Sequence, residues 1–286
     1  MRLLQASELP AAISLDDDLV IEADAATVLG RLPDGAFELI YIDPPWGTGR
    51  AQRSQRLAVA RDEASGDRRG FGGRRYRSRA VGEEMAYADS FADYARFLRP
   101  KLERARELLA PVGTLYVHLD YREAHYVKVA LDEIFGRACF LNEIIWAYDY
   151  GAKPTRRWPP KHDTILVYVR DPEHYLFDAE AVDREPYMAP GLVGPEKAAR
   201  GKRPTDTWWH TIVATNGSER TGYPTQKPEG VLRRIVAASS RPGGWCLDFF
   251  AGSGTLGAVA AQLGRRYVLV DSNAEATAVM RGRLGG

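Results

Sequence analysis

The stretch Trp245-Cys246-Leu247-Asp248-Phe249-Phe250-Ala251-Gly252-Ser253-Gly254-Thr255-Leu256-Gly257 is an apolar run that ends in an acid, passes a glycine turn and enters a helical pattern reaching about Leu263. Strand, tight turn and helix in that order open a βα unit. Glycines at the turn let a ligand approach the backbone closely. Gly252, Gly254 and Gly257 satisfy G-x-G-x-x-G, and the next apolar run, Tyr267 to Val270, ends at Asp271, near the spacing of a carboxylate that binds ribose hydroxyls. Alone, the pattern selects an adenosine-containing ligand, with a dinucleotide such as NAD the usual first candidate. Asp248 tilts the choice, because an acid facing a pyrophosphate is repelled whereas one facing a cationic amino-acid moiety is attracted. S-adenosylmethionine is therefore favoured.

Outward from this unit the chain repeats the alternation. Apolar runs at Leu19 to Ala23, Phe37 to Ile42, Gly113 to Leu119, Phe140 to Tyr148, Thr164 to Val169 and Tyr267 to Val270 join Trp245 to Phe250 as seven expected strands. Amphipathic stretches separate most of them, which predicts a Rossmann-like α/β fold, a mostly parallel seven-stranded sheet with helices on both faces. Ser90 with Asp93 reads as a capping box opening a helix through Leu98, and Pro100 either kinks it or begins a second helix to Leu109. Tyr121 to Phe135 has helical spacing, with Gly136 as C-cap. Residues 171–222, with prolines among scattered charges and aromatics, read as a substrate-facing insertion within a single domain spanning residues 1–286.

The chain has 39 basic and 38 acidic side chains, a net charge of +1, with 45% hydrophobic and 27% charged residues. That balance belongs to a globular protein rather than a disordered or fibrous one. Cys139 and Cys246 lie far apart, and neither they nor His118, His125, His162, His174 and His210 show metal-ligand spacing, so no disulfide framework and no metal site are expected. Leu3 and Leu4 are followed by Gln5, Ser7 and Glu8, which leaves no apolar core for a signal peptide, and no later run has the length of a membrane span. The expected location is the cytoplasm, with no membrane partner.

A second segment, Phe37-Glu38-Leu39-Ile40-Tyr41-Ile42-Asp43-Pro44-Pro45-Trp46, is another apolar strand, ending in an acid, two prolines and an aromatic. The prolines fix φ and remove two N–H donors, so carbonyls in this turn are free to accept hydrogen bonds from a ligand. Acceptors beside a flat ring suit a planar base bearing an amino group. The plain structural reading is a rigid strand-ending turn with Trp46 in the core.

Charge is unevenly spread. Residues 50–79 hold ten arginines against Asp62, Glu63 and Asp67, are rich in Gly and Ser, and read as a mobile loop at about 47–88. Such runs are usually solvated insertions. Beside a site acting on nucleic acid, Arg74, Arg75, Arg77 and Arg79 become phosphate contacts by counterion release. A second basic stretch, Lys153 to Lys161, adds Lys153, Arg156 and Arg157 around Trp158 and could track a strand or support an extruded base, its plain reading being a solvated hairpin loop.

Taken together the motifs resemble the amino-methyltransferases that modify exocyclic amines of DNA bases, in the permuted beta arrangement, and especially type III modification subunits. The resemblance rests on Asp43-Pro44-Pro45-Trp46 placed before Asp248-Phe249-Phe250-Ala251-Gly252-Ser253-Gly254-Thr255, on Tyr223-Pro224-Thr225-Gln226-Lys227-Pro228, and on Asn142-Glu143-Ile144-Ile145-Trp146 followed by Lys161-His162-Asp163-Thr164-Ile165-Leu166-Val167-Tyr168. It implies catalysis by Asp43, Pro44, Pro45 and Trp46. It also implies S-adenosyl-L-methionine held by Asp24, Thr225, Gln226, Lys227, Asp248, Phe249, Phe250, Ala251, Gly252, Gly254, Thr255, Asp271 and Ser272. The methionine carboxylate is expected at the N-terminus of the helix after Pro228. Asp24 could equally be a helix N-cap. Trp46 and Gly47 stand where family members more often have Tyr or Phe and Asn, and RNA adenine methyltransferases also use Trp there. Asp43 goes with adenine, so the implied reaction is N6-adenine methylation of DNA. The alternatives are N4-cytosine methylation, adenine methylation of RNA and, outside methyl transfer, an NAD-dependent oxidoreductase. A homodimer, a restriction endonuclease partner and a prokaryotic cytoplasm or nucleoid are compatible with the resemblance.

Overall fold

A computed structural model describes residues 1–45, 52–62, 65, 68–69, 75–87, 94–151, 154–214 and 217–285. Trp46, Arg74 and Lys153 lie outside them. The strands are β1 (Arg2–Gln5), β2 (Leu19–Glu22), β3 (Phe37–Ile42), β4 (Gln52–Arg61), β5 (Arg68–Arg69), β6 (Arg75–Tyr87), β7 (Leu109–Leu119), β8 (Phe140–Ala147), β9 (His162–Val169), β10 (Thr207–Trp209), β11 (Trp245–Asp248) and β12 (Arg266–Asp271). The helices are α1 (Ala25–Leu29), α2 (Tyr94–Leu108), α3 (Ala124–Phe135), α4 (Pro195–Arg200), α5 (Glu229–Ser239), α6 (Thr255–Gln262) and α7 (Ala274–Leu284).

Nine strands form one sheet in the order β1-β2-β12-β11-β3-β7-β9-β8-β10. All seven expected strands are in it, and the expected count of seven is corrected to nine by the edge strands β1 and β10. Neighbours pair in parallel except around β9, which runs antiparallel to both β7 and β8. The central strands are buried and mostly apolar because both faces are covered. One layer packs Val28, Leu98, Leu102, Val127 and Leu131 of α1, α2 and α3 against Ile40, Ile42, Leu247 and Val268. The other packs Leu232, Ile235, Val259 and Met280 of α5, α6 and α7 against Leu39, Tyr41, Cys246 and Leu269.

Two sequence readings change. Residues read as loop carry β4, β5 and β6, a separate antiparallel sheet in which Arg56 pairs with Val81 and Ala60 with Arg77. Arginine at strand positions hides the period because its stem covers apolar surface while its head is charged. Of the two readings at Pro100, a kink or a second helix, the second is set aside: α2 runs through Pro100 as one element.

From β11 the chain crosses through α6 to β12 on one side, whereas from β3 it crosses through α2 to β7 on the other. The boundary between β11 and β3 is thus a topological switch point, and open α/β sheets bind ligands outside the carboxyl ends of the strands there.

Candidate active site

Asp248 ends β11, Asp43 follows β3 and Asp271 ends β12, so three adjacent strands deliver three carboxylates to one edge of the sheet. They line a cleft of about 360 Å³ together with Asp24, Pro44, Pro45, Thr225, Lys227, Phe249, Phe250, Ala251, Gly252, Thr255 and Ser272. The motif near the N-terminus and the glycine loop near the C-terminus therefore meet in one cavity.

The glycine loop is built around its acids. Asp248 Oδ1 accepts from Phe250 N at 3.0 Å. Asp271 Oδ2 accepts from Gly252 N at 2.8 Å and Oδ1 from Asn273 N at 2.9 Å. Gly252 has φ +49°, and a Cβ there would lie 3.1 Å from the Tyr223 ring. Burial pushes the Asp248 carboxyl well above the usual carboxylate range, and the nearby charges of Asp43 and Asp271 push it the same way. Burial also raises Asp271, against the two backbone hydrogen bonds it accepts. A buried carboxyl of this kind is relieved by a cation.

Lys227 reaches across to the other motif. Its Nζ lies 2.6 Å from Asp43 Oδ2, both side chains being largely buried, while its carbonyl accepts from Thr255 Oγ1 at 3.2 Å. Asp43 Oδ1 is buried without a hydrogen-bond partner among the described residues. One carboxylate oxygen is thus oriented and the other is open.

Three expected cofactor contacts fall elsewhere. Gln226 accepts from Thr221 N and Oγ1 through Oε1 and donates to Glu219 O through Nε2, which ties its own turn together. Gly254, with φ +70°, packs under Met280, whose Cγ would lie 2.7 Å from an added Cβ. At the start of α5 the Glu229 N–H already donates to the Glu219 carboxylate at 2.8 Å, in the place expected for the methionine carboxylate. Asp24 caps α1 by accepting from Ala26 N at 2.8 Å, and it also lines the cleft.

Beneath the cleft lies a buried chain that sequence reading did not assemble, its histidine having been read as structural. Tyr41 Oη is 2.8 Å from His118 Nδ1, His118 Nε2 is 3.0 Å from Asp163 Oδ2, and Tyr148 Oη donates to Asp163 Oδ1 at 2.9 Å. Burial pushes the Asp163 carboxyl up, but His118, the Lys227 charge and the Tyr148 hydroxyl outweigh it and hold the group below its ordinary value. Tyr148 and Asp163 line a second cavity of about 980 Å³, which shares Tyr223, Thr225 and Lys227 with the first. Lys227, with Tyr223 and Thr225, stands between the two cavities. The only sequence signals for this chain were the Asp163 and Tyr41 positions inside the two strand motifs.

Of the candidate phosphate contacts, Arg75, Arg77, Arg156 and Arg157 are exposed, and Arg79 belongs to β6. Arg77 lies 3.0 Å from Asp62, and Arg157 donates to Tyr121 Oη at 3.3 Å. Trp208 is buried and donates to Thr205 O at 2.7 Å, whereas its neighbour Trp209 is exposed on the second cavity. Among the described residues no group of His, Cys, Asp or Glu could hold a metal ion, and no helix is long and apolar enough to cross a membrane.

Comparison with known proteins bears on this geometry. The DNA methylase family of N6 and N4 amino-methyltransferases matches residues 37–281. The chain is 28% identical over 268 residues to the type II methyltransferase M.HpaI of Haemophilus parainfluenzae, covering 94% of this chain and 74% of that protein. It is 26% identical over 274 residues to the DNA adenine methyltransferase YhdJ of Escherichia coli K12, covering 93% and 82%. The solved PvuII DNA methyltransferase, cytosine-N4-specific, shares the fold with a TM-score of 0.65 at 13% identity, covering 95% of this chain and 90% of that one. With the matched region running from the strand before Asp43 into the last helix, the chain belongs to the S-adenosylmethionine-dependent DNA amino-methyltransferases.

Proposed function

We propose that the protein methylates N6 of adenine in DNA, with Asp43 and the Pro44 carbonyl as the acceptors that activate the amine. An exocyclic amine is a poor nucleophile because its lone pair is delocalised into the ring. Acceptors that draw its two protons out of the ring plane expose that lone pair to the sulfonium methyl, and positioning accounts for most of the rate. S-adenosylmethionine bound there would supply the methyl, the amine displacing S-adenosylhomocysteine in line and giving up one of its two protons, with no covalent enzyme intermediate. The observation that carries the reading is Asp43 Oδ1, buried and without a partner among the described residues on the wall of the cleft, while Oδ2 is fixed by Lys227. Asp43 as the acid of the motif, and the adenine specificity in the name of YhdJ, favour adenine.

Asp24, Asp248, Asp271, Ser272 and the backbone of the loop from Phe249 to Gly252 surround the proposed cofactor position, and Asp248 faces its cationic end. The second cavity is the proposed seat of the flipped base, extruded at a cost of a few kcal/mol. Trp46 is proposed to stack on that base, and the basic segments to hold phosphates. A restriction-modification role, supported by the type II name of M.HpaI, a homodimer and a cytoplasmic site of action belong to the same proposal.

N4-cytosine methylation is the second reading, since the family spans both chemistries. Incubation with labelled S-adenosylmethionine and DNA or RNA, followed by nucleoside identification, tests them. N6-methyladenine from DNA is the expected product. N4-methylcytosine would overturn the adenine assignment, and label confined to RNA would overturn the DNA assignment.

A further inference from the structure

The loop from Tyr148 to Lys161 joins β8 to β9 and leaves the sheet at the carboxyl end of β8. Because β8 runs in the same direction as β7 and β3, this is the edge that carries Asp43. The two ends of the loop are joined: Lys161 Nζ donates to the carbonyls of Tyr150 at 2.5 Å and Gly151 at 2.9 Å, and Tyr148 N donates to Lys161 O at 2.9 Å. Arg157 is tied to Tyr121 on the neighbouring connection. Pro159 and Pro160 then restrict the backbone beside Trp158. Beside them Trp158 is 92% exposed, an unusual position for the largest apolar side chain.

Its neighbours say what it faces. Arg156 and Arg157 flank it on one side and are exposed, a pairing of cations and an aromatic that suits a nucleic-acid backbone and its bases. Pro160, Tyr150 and Gly151 line the second cavity, and Trp158 precedes Pro160 by two residues on the same loop. A base that leaves a duplex opens a gap whose two neighbours lose a stacking partner, and an apolar side chain inserted there offsets that loss.

We propose that Trp158 is a wedge that enters the duplex in place of the flipped target base, with Arg156 and Arg157 on the adjoining phosphates. The inference rests on the proposed methylation of a flipped base in duplex DNA. It also distinguishes this residue from Trp46, which is proposed to stack on the flipped base itself. Trp158 lowers the cost of opening the duplex, while Asp43 acts on the amine once it has opened.

The test compares methyl transfer by the wild-type chain and Trp158→Ala on unmethylated genomic duplex DNA and on the same DNA heat-denatured, together with quenching of tryptophan emission by duplex DNA. The exposed position means that the substitution removes no core packing, and binding of S-adenosylhomocysteine checks that the variant is folded. Turnover on duplex should fall about 5- to 150-fold, the range expected when one base–aromatic stack is removed, with turnover on denatured DNA nearly unchanged and the duplex-dependent quenching reduced. Equal turnover on duplex, or an equal loss on both substrates, would overturn the wedge. Failure of the wild-type chain to methylate either DNA would instead overturn the methylation reading. Wherever the wild type leaves one DNA unmethylated, the emission comparison decides, and identical quenching of the two proteins would overturn the wedge.

Discussion

Lys227 Nζ lies 2.6 Å from Asp43 Oδ2, so the residue expected to contact the cofactor is the partner of the proposed catalytic acid. The pair joins segments from opposite ends of the chain, and the Lys227 carbonyl is in turn bound by Thr255 of the glycine loop. Removing one member of a buried pair leaves an uncompensated charge. Lys227→Met should therefore destabilise the chain by about 3 to 5 kcal/mol, and Asp43→Asn made in that background should cost much less than it does alone. A double-mutant cycle by denaturant unfolding measures this coupling. Additive effects would mean that the pair does not hold in solution.

Catalysis and cofactor binding should separate at Asp43. Asp43→Ala deletes the open acceptor Oδ1 and is expected to lower methyl transfer by at least about 100-fold, while titration with S-adenosylhomocysteine shows nearly unchanged affinity. Retained turnover would contradict the assignment of Asp43.

The contrast between Lys227 and Asp248 shows how far the sequence could be read. Asp248 and Asp43 sit at the ends of apolar strands, so local pattern alone placed them at one edge of a parallel sheet. The partner of Lys227 depends on which turn folds over which strand, and no local period encodes that. The same holds for His118, whose contact with Asp163 joins β7 to β9 and whose ring lacks any ligand spacing. The edge strands β1 and β10, four and three residues long, were too short to show a pattern. Gly254 matched the glycine fingerprint for a reason of packing, since its close neighbour is Met280 rather than the cleft.

On the proposed function, the arginines at 74–79 would bear on affinity rather than chemistry. Replacing Arg74, Arg75, Arg77 and Arg79 together should flatten the dependence of log K on log salt concentration by about 0.9 for each phosphate that is no longer neutralised. Arg77 lies beside Asp62, so it releases fewer counterions on binding than a fully solvated arginine and should contribute less than the others. Binding isotherms at several salt concentrations give the slope, and an unchanged slope would remove these residues from the DNA interface.

Asp248 gives the cofactor site a pH dependence whose sign follows from burial. Its carboxyl is raised by desolvation, with the charges of Asp43 and Asp271 adding to the shift, against the Phe250 N–H and the Lys227 charge. In the unfolded chain the group titrates near its ordinary value of about 3.9. Between that value and the raised folded one, the native state without cofactor holds a proton that the unfolded state has released, so stability falls as pH rises through this window. A sulfonium or ammonium placed beside Asp248 favours the ionised form, and binding then expels the proton. Cofactor affinity should therefore rise with pH across the window and level off above it. Asp248→Asn should abolish that dependence, weaken cofactor binding, and raise the melting temperature of the cofactor-free chain at neutral pH, because an amide keeps the hydrogen bond to Phe250 without a buried charge. Calorimetric titration in buffers of different ionisation enthalpy counts the protons released. A wild-type profile independent of pH, or an Asn variant that binds as tightly as the wild type, would place Asp248 away from the cationic end of the cofactor.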